Sequence, residues 1–209
     1  MKVIAFNGSP RADGTVAKGI SVVLGELAKE GIETETVHVG GKHIRGCVAC
    51  MECRKHGRGC AVQETSAVGE AYEKMLAADG VVLGSPVYYG GIAGTFKSFL
   101  DRMFFPSGLG MSYKVGATVT SLRRSGGISV FHQLNNYFNL AQMIITPGIY
   151  WDVIHGNGAD EAEKDIEGLE IMETQGRNMA WLLKTLAAGR PSLSSPALPR
   201  ERKRTNFIR

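Results

Sequence analysis

Three absences restrict the classes of protein to which this chain of 209 residues can belong. No apolar run approaches the ~18 residues that a membrane helix requires, so no membrane partner is expected. Cysteine is missing outside a single short block, which argues against a disulfide-stapled secreted scaffold. No separate apolar segment with a cleavage site follows Met1, so we expect a cytoplasmic protein without a signal peptide.

The composition describes one domain with a basic end. The chain is 44% hydrophobic and 21% charged, which fits a well-buried core, and we assign residues 1–188 to this domain. Residues 189–209 are predicted to be a Pro/Ser-rich linker and a basic C-terminal tail, which holds much of the net charge of +4. Basic and aromatic residues are not interleaved elsewhere, so nucleic acid is not an expected partner.

Short apolar strands alternate with amphipathic helices along the chain. This alternation predicts a parallel sheet with right-handed crossovers, in the flavodoxin-like doubly wound class. The sheet is expected to have five strands in the order 2-1-3-4-5, with the cysteine-rich loop, residues 46–61, after strand 2. Predicted strands are 2–7, 32–39, 80–85, 115–121 and 143–146; predicted helices are 15–29, 66–78, 93–105, 127–142 and 161–187, the last bent at Gly168 or Gly176.

The loop after the first strand carries groups that suit a phosphate. Ser9 and Thr15 offer hydroxyls, Arg11 offers a guanidinium, and the amides from Gly14 to Val16 open a helix whose positive end favours an anion. The loop matches neither G-x-G-x-x-G nor G-x-x-x-x-G-K-S/T, which weighs against dinucleotide and Walker-type nucleotide sites. Taken alone, such a helix start is also explained as an ordinary N-cap.

Two further loops are expected at the same sheet edge. Residues 85–93, after strand three, hold a proline, two tyrosines and paired glycines, which can line a flat ligand. The alternative is a Pro-Gly turn with both tyrosines partly in the core. Residues 120–127 form a third, polar and glycine-rich loop after strand four. Because ligands of open parallel sheets bind beyond the carboxyl ends of the strands, the three loops predict one site, for a planar ring with a phosphate. Flavin mononucleotide (FMN) has this shape.

The four cysteines have the spacing of an iron–sulfur site. Cys47, Cys50 and Cys53 form a C-x2-C-x2-C run, and Cys60 follows, as a cubane 4Fe–4S cluster requires. A zinc site and reduced thiols that bind nothing stay open as alternatives, whereas disulfides would close only small, strained loops. His56, inside the block, is a distant candidate for a fifth ligand.

Three stretches taken together resemble the iron–sulfur flavoproteins, which belong to the wider NAD(P)H-dependent FMN reductase group. They are the Gly-Ser-Pro-Arg loop ending at Arg11, the Ser-Pro-Val-Tyr-Tyr-Gly-Gly loop with the later Lys-Ser-Phe-Leu-Asp-Arg ending at Arg102, and the cysteine block. The resemblance implies FMN and a 4Fe–4S cluster, and a homodimer or homotetramer. It implies FMN contacts from Ser9, Arg11, Gly14, Thr15, Val16, Pro86, Val87, Tyr88, Tyr89, Gly90, Ser121, Arg124, Ser125 and Gly127, and metal ligation by Cys47, Cys50, Cys53 and Cys60.

The expected function is a flavin-dependent oxidoreductase. It would pass electrons from NAD(P)H or a ferredoxin-type donor to a small acceptor such as a quinone, a flavin, an oxygen species or an electrophilic aromatic. The alternative is a noncatalytic flavodoxin-like electron carrier, which the basic charge disfavours, or a thiol or metal redox sensor. No Ser/His/Asp arrangement is evident, so catalytic residues are unassigned. His132 and Gln133 are interpreted as helix surface, with lining of the substrate face as the alternative. Subunit contacts are expected at residues 103–111 and 207–208.

Overall fold

A twisted parallel sheet covered by helices on both faces forms the centre of the structure. The computed structural model describes residues 1–57, 59–62, 66–197 and 205, with only the backbone at Ser66. The strands are β1 (Lys2–Asn7), β2 (Glu33–His38), β3 (Gly80–Tyr88), β4 (Gly91–Ile92), β5 (Val115–Leu122), β6 (Ile144–Ile145) and β7 (Val153–His155). The helices are α1 (Thr15–Lys29), α2 (Glu52–His56), α3 (Ser66–Ala77), α4 (Gly94–Ser107), α5 (Gly127–Leu140), α6 (Ala159–Ala162) and α7 (Ile166–Gly189), with a 3-10 turn at Gly108–Met111.

The sheet confirms the predicted doubly wound class. Its order is β2-β1-β3-β5-β6, and all of these neighbours pair in parallel. The central strands are apolar runs because both faces are covered, and every residue of β5 is buried. The edge strand β2 is half exposed and alternates polar with β-branched residues, as predicted.

The fifth position in the sheet differs from the prediction of one strand at residues 143–146. It is divided between β6, which pairs with the start of β5, and β7, which pairs with the end of β5. Pro147 lies between them and has no N–H to donate, so the ladder is interrupted there. Sequence reasoning missed β7, a strand of only three residues. A second addition is β4, which pairs antiparallel with the end of β3.

Two helix layers bury separate apolar clusters. On one face α1 and α7 cover residues that include Val3, Val82 and Val119. On the other face α3, α4 and α5 cover residues that include Ile4, Phe6 and Leu83. Fully burying one such side chain contributes roughly 1.5–3 kcal/mol, so the sandwiched strands carry much of the stability.

The long final helix was predicted as one element, and this is wrong. The chain forms the single turn of α6 and then restarts as α7 at Asp165, whose carboxylate accepts hydrogen bonds from the amides of Gly168, at 3.1 Å, and His155, at 2.6 Å. An aspartate at the N-cap accepts a hydrogen bond from a backbone amide of the first turn, which has no carbonyl partner inside the helix that starts there. The break therefore lies before Gly168. Gly176 instead lets α7 approach α1, because a methyl group there would lie 2.7 Å from the Val23 carbonyl.

The end of the chain is only partly described. Residues 190–197 follow α7 without a further helix or strand, and the hydroxyl of Tyr113 donates to the carbonyl of Pro196 at 3.2 Å. The predicted basic tail and the predicted contact at residues 207–208 lie outside the described residues, apart from Thr205. Within the described part of the chain, no helix has the length and apolar character to cross a membrane.

One carboxyl group is buried where the fifth strand is divided. Asp152 is 2% exposed, and the hydroxyl of Thr118 donates to its Oδ2 at 2.7 Å. Burial raises the pKa of Asp152 to about 7, and the Thr118 hydrogen bond opposes the shift only in part. The unfolded chain ionises this group at a pKa of about 3.9, so the folded state binds the extra proton between about pH 4 and pH 7. The free energy of unfolding therefore falls as pH rises through this window.

Replacing Asp152 with Asn should remove this pH dependence, because the amide keeps the shape and does not ionise. The stability difference between pH 4.5 and pH 7.5 that it removes is on the order of 3 kcal/mol. Urea unfolding across this range measures it. Glu170→Gln, at an exposed position of α7, is the matched control and should keep the wild-type slope. An unchanged slope in Asp152→Asn would contradict the assignment.

Candidate functional site

The loop between β1 and α1 is built around a buried asparagine. The Oδ1 of Asn7 accepts from the Ser9 amide at 2.9 Å, and its Nδ2 donates to the Ala12 carbonyl at 3.2 Å. The Ser9 hydroxyl accepts from the Arg11 amide at 3.1 Å. His38 makes a further contact that stabilises the loop, with its Nε2 2.8 Å from the Ser9 carbonyl oxygen. Asn7 and His38 were not predicted as site residues, although both stand at strand ends on this edge of the sheet.

The positive end of α1 opens into this loop. Gly14 occupies the N-cap position, and no side chain caps the helix; its first turn contains no acidic residue. The ordinary N-cap that was the alternative explanation is therefore not observed. Amides at such a helix start lack partners and, with the helix dipole, attract an anion. The side chain of Val16 is buried, so Val16 offers only its amide.

A fourth loop, between β7 and α6, contacts the first and was not predicted. The guanidinium of Arg11 donates to the carbonyl and to the Oδ1 of Asn157, at 3.1 and 3.2 Å. The Thr15 hydroxyl donates to the Gly158 carbonyl and accepts from the Gly158 amide, both at 3.0 Å. The predicted phosphate-binding residues are thus held in place by residues more than 140 positions later in the chain. The Gly-Asn-Gly run after a strand was the available signal.

The second predicted loop is the β3–β4 hairpin. Tyr89 and Gly90 form its two-residue turn, both with positive φ, at +51° and +71°, the backbone that a tight hairpin requires. Tyr89 is fully exposed and Tyr88 is half exposed, so the interpretation of two tyrosines partly in the core is wrong. Both rings are available at the carboxyl edge of the sheet.

Gln133 of α5 supports this hairpin. Its Oε1 accepts from the Ile92 amide at 3.2 Å, and its Nε2 donates to the Gly90 carbonyl at 3.3 Å. The sequence favoured the helix surface for Gln133 and left the substrate face as the alternative; the structure places its side chain against Gly90, one of the predicted ring-binding residues. The spacing of α5 alone gave no sign of this contact, which joins residues more than forty positions apart.

The third loop meets the hairpin at two glycines. Gly126 has a φ of +89°, and a methyl group there would lie 3.0 Å from the Val87 side chain and 3.4 Å from the Gly90 backbone. Parallel pairing sets Pro86 opposite Ser121, so the two loops leave the sheet side by side. Ser121 is buried, whereas Arg124 and Ser125 are exposed beyond it. The structure therefore brings together the three loops that carry the predicted residues.

The arrangement of these loops fits a flavin phosphate and ring. The uncapped start of α1 supplies amide donors for the phosphate, and Arg11 supplies a cation close to them. The glycines of the hairpin and the third loop leave room for a flat group to approach the backbone, with Tyr88 and Tyr89 beside it.

The cysteine block forms a separate site between β2 and α3. Cys47 and Cys50 are exposed, Cys53 and Cys60 are half-buried, and all are free thiols. All four line one small cavity of about 20 Å³. Burial raises the pKa of Cys53, the effect being increased by neighbouring Cys60. Soft sulfur donors facing one cavity are the donor set that iron–sulfur clusters use.

The backbone of the block is held in an unusual form. Ala49 and Met51 both have positive φ, at +54° and +64°, which non-glycine residues seldom adopt. Among the described residues, no three His, Cys, Asp or Glu side chains are gathered closely enough to hold a metal ion. The donor chemistry thus fits a cluster, but the thiols are not drawn together, and the cavity of about 20 Å³ has room for about one water molecule. His56 lies 3.4 Å from Glu52 on α2 and is exposed, so it is not a member of the cavity.

A groove of about 790 Å³ connects the surroundings of the two sites. It runs between α4 and α5, with Cys47 and Arg54 lining it as well as Gln133. Inside it, Asp101 accepts from the hydroxyl of Tyr137 and pairs with Lys97 at 2.6 Å. Burial, together with the Asp101 hydrogen bond, raises the pKa of Tyr137 well above its usual value, so the hydroxyl stays protonated.

Comparison with known proteins identifies relatives over most of the chain. The family model described as NADPH-dependent FMN reductase matches residues 1–158. An iron-sulfur flavoprotein of Methanocaldococcus jannaschii is 32% identical, with 89% of this chain and 99% of that protein covered. An iron-sulfur flavoprotein of Methanosarcina thermophila is 29% identical, with 91% and 99% covered.

Solved structures show the same fold at low identity. RosB, crystallised with a bound 8-demethyl-8-formylriboflavin-5'-phosphate intermediate, matches with a TM-score of 0.69 and 17% identity over 100% of this chain and 94% of its own. A flavodoxin from the domain Archaea matches with a TM-score of 0.59 and 13% identity over 88% and 99%. The flavodoxin-like class predicted from the sequence is confirmed.

Proposed function

The chain belongs to the NADPH-dependent FMN reductase family, alongside relatives named iron-sulfur flavoproteins, and on this premise we propose how it moves electrons. It is a flavin-dependent oxidoreductase with FMN at the carboxyl edge of its sheet. Its proposed donor is NAD(P)H or a ferredoxin-type protein, and its proposed acceptor is a small quinone, flavin, oxygen species or electrophilic aromatic. The observation that carries the proposal is that three ligand-type loops follow neighbouring parallel strands at one edge of the sheet, one of them opening into the uncapped start of α1.

The phosphate is proposed to bind at the first loop through amides and one cation. The hydroxyl of Thr15 already donates its proton to the Gly158 carbonyl, so its part is to hold the loop rather than to bind the phosphate. Arg11 keeps two bonds to Asn157 and is exposed, with further N–H groups free to reach an anion. The hairpin and the third loop would then hold the ring.

Replacing Arg11 with Ala should weaken FMN binding by about 1.5–3 kcal/mol, the scale of a charged hydrogen bond. This corresponds to roughly 10- to 150-fold in dissociation constant. Riboflavin lacks the phosphate, so wild type and variant should bind it equally, as flavin fluorescence titration can measure. Lys29→Ala, at the other end of α1, is the control for net charge and should bind FMN as wild type does. An equal loss of affinity for both flavins would contradict the assignment.

The cysteine block is proposed to hold a 4Fe–4S cluster. The shared cavity of the four thiols and the names of the relatives support it. When bound, FMN exchanges one or two electrons and a cubane cluster exchanges one, which suits conversion between one-electron and two-electron partners. The protein is proposed to be cytoplasmic, since a reducing compartment keeps such thiols available for iron.

Replacing Cys50 with Ser should abolish iron binding and leave FMN bound, because the flavin loops lie on different strand ends. Oxygen is a poorer donor than sulfur for iron in such a site. Iron, sulfide and flavin analysis of protein purified or reconstituted without oxygen measures both cofactors. Met51→Leu, next to it in the block, is the control and should keep its iron. Zinc in the wild-type protein would contradict the cluster and favour a zinc site, whereas no metal would contradict it and favour the thiol-sensor alternative, to which the exposed Cys47 and Cys50 are suited.

The groove between α4 and α5 is proposed to receive a second copy of the chain. Phe105, Leu109 and Leu140 are exposed apolar residues along it, and clustered exposed apolar side chains mark interfaces. Of the stretch 103–111 predicted as a contact, Met103 and Met111 are buried in the core, so only its middle is available. Cys47 lines the same groove, which would place the partner against the cysteine block.

Leu140→Glu should weaken self-association by about 100-fold or more, because burying an unpaired carboxylate costs roughly 3 kcal/mol or more. Wild type is expected to be a dimer or tetramer by light scattering, and the variant should have a smaller mass at micromolar concentration. Leu193→Glu is the matched control, since Leu193 and Leu140 are both 72% exposed and Leu193 lies after α7, away from the groove. A monomeric wild type would contradict the proposal.

A further inference from the structure

A buried arginine lies against the cysteine block. Arg102, on the inward face of α4, is 2% exposed and is among the largest fully buried side chains of the described residues. Its Nε donates to the sulfur of Cys60 at 3.3 Å, and its two terminal nitrogens donate to the carbonyls of Arg45, at 3.2 Å, and Val62. These carbonyls belong to residues two positions before Cys47 and two positions after Cys60, so one guanidinium holds both ends of the block.

Among the residues that the structure describes, no acidic group balances the charge of this guanidinium. No carboxylate in the described part of the chain forms an ion pair with Arg102, and its acceptors there are two neutral carbonyls and a sulfur. Asp101, its neighbour in sequence, is occupied by Lys97 and Tyr137 in the groove. A buried charge without a partner costs several kcal/mol, and proteins therefore pair such groups or bind a counter-ion.

The small cavity beside Arg102 is where a compensating negative charge can be placed. Arg102 lines it with all four cysteines. Metal-bound cysteines are thiolates, and four of them around an iron–sulfur core give the site a negative charge. A guanidinium is suited to this position, because its planar fork makes several fixed hydrogen bonds at once and it does not lose its proton.

We propose that Arg102 is the counter-cation and positioning residue of the cysteine site, a role that rests on the proposed cluster. Its bonds to the two carbonyls hold the ends of the block together, and its N–H···S bond fixes the Cys60 sulfur toward the cavity. Hydrogen bonds to ligand sulfur and a nearby positive charge favour the more negative, reduced form of a cluster. Arg102 therefore raises the affinity of the site for iron and its reduction potential.

Two substitutions separate the charge from the hydrogen-bond fork. Arg102→Gln removes the charge and keeps one donor group, whereas Arg102→Lys keeps the charge and loses the fork. Arg54→Gln is the matched control: Arg54 lies in the block on α2, is exposed, and stacks on the Phe105 ring at 4.5 Å. All variants are prepared without oxygen as the full chain, and FMN affinity is measured first as a check of the fold.

Iron release to a chelator and the cluster's midpoint potential by spectroscopic titration are the readouts. Arg102→Gln should release iron about 10-fold faster or more, the usual scale for loss of a supporting contact, and should have a lower midpoint potential. Arg102→Lys should release iron faster than wild type but keep a potential closer to it. If Arg102→Gln does not fold, Arg102→Lys alone still tests the fork.

The outcomes distinguish this role from the cluster itself. Wild-type iron release and potential in both Arg102 variants, with iron present, would overturn the role and leave the cluster standing. Equal changes in Arg54→Gln would also overturn it, since any nearby cation would then act alike. A wild-type protein without iron after anaerobic reconstitution would overturn the cluster and this role together.

Discussion

The register of the three central parallel strands is the constraint on which the flavin edge depends. Asn7, at the end of β1, lies opposite Gly84, and Gly84 lies opposite Val119, so β3 and β5 continue a few residues beyond the end of β1 before their loops leave the same edge of the sheet. A slip of one residue would turn every side chain of a strand to the other face and separate the loops. The close fit of Gly84 under Val16 resists such a slip, because even a methyl group there would lie 2.7 Å from that side chain. The loops are therefore positioned by the core.

Helix α4 connects this edge to the second site. It starts directly after the hairpin and exposes Lys97 and Asp101 to the groove, while Arg102, one residue further, points into the protein toward the cysteines. A turn of about 100° between successive helical residues produces these different directions. Residues of the motif Lys-Ser-Phe-Leu-Asp-Arg thus line both the groove and the cysteine cavity. A shift of α4 along its axis would affect both.

The strands, helices and loops that could be predicted are those that short stretches of the sequence determine. Apolar periodicity gave the five sheet positions and the main helices, and the rule that ligands bind at the carboxyl ends of strands gave three of the four loops. Contacts between distant residues were not predictable in this way. The bonds of Arg11 to Asn157 span 146 positions, and only the fold shows that they meet. Arginine is normally exposed, so nothing in composition indicated that Arg102 would be buried. The hairpin was missed because Tyr89 adopts a backbone that glycine usually supplies.

The division of the fifth strand has a consequence for solubility. A long unpaired strand at the edge of a sheet is a template on which another chain can add and aggregate. Here the outer edge consists of only two residues of β6 and three of β7, with Pro147 between them, so no continuous row of amides and carbonyls faces solvent there. The opposite edge, β2, carries Glu33 and Glu35, which form ion pairs with Lys2. Both borders of the sheet thus discourage strand addition, one by interruption and the other by charge.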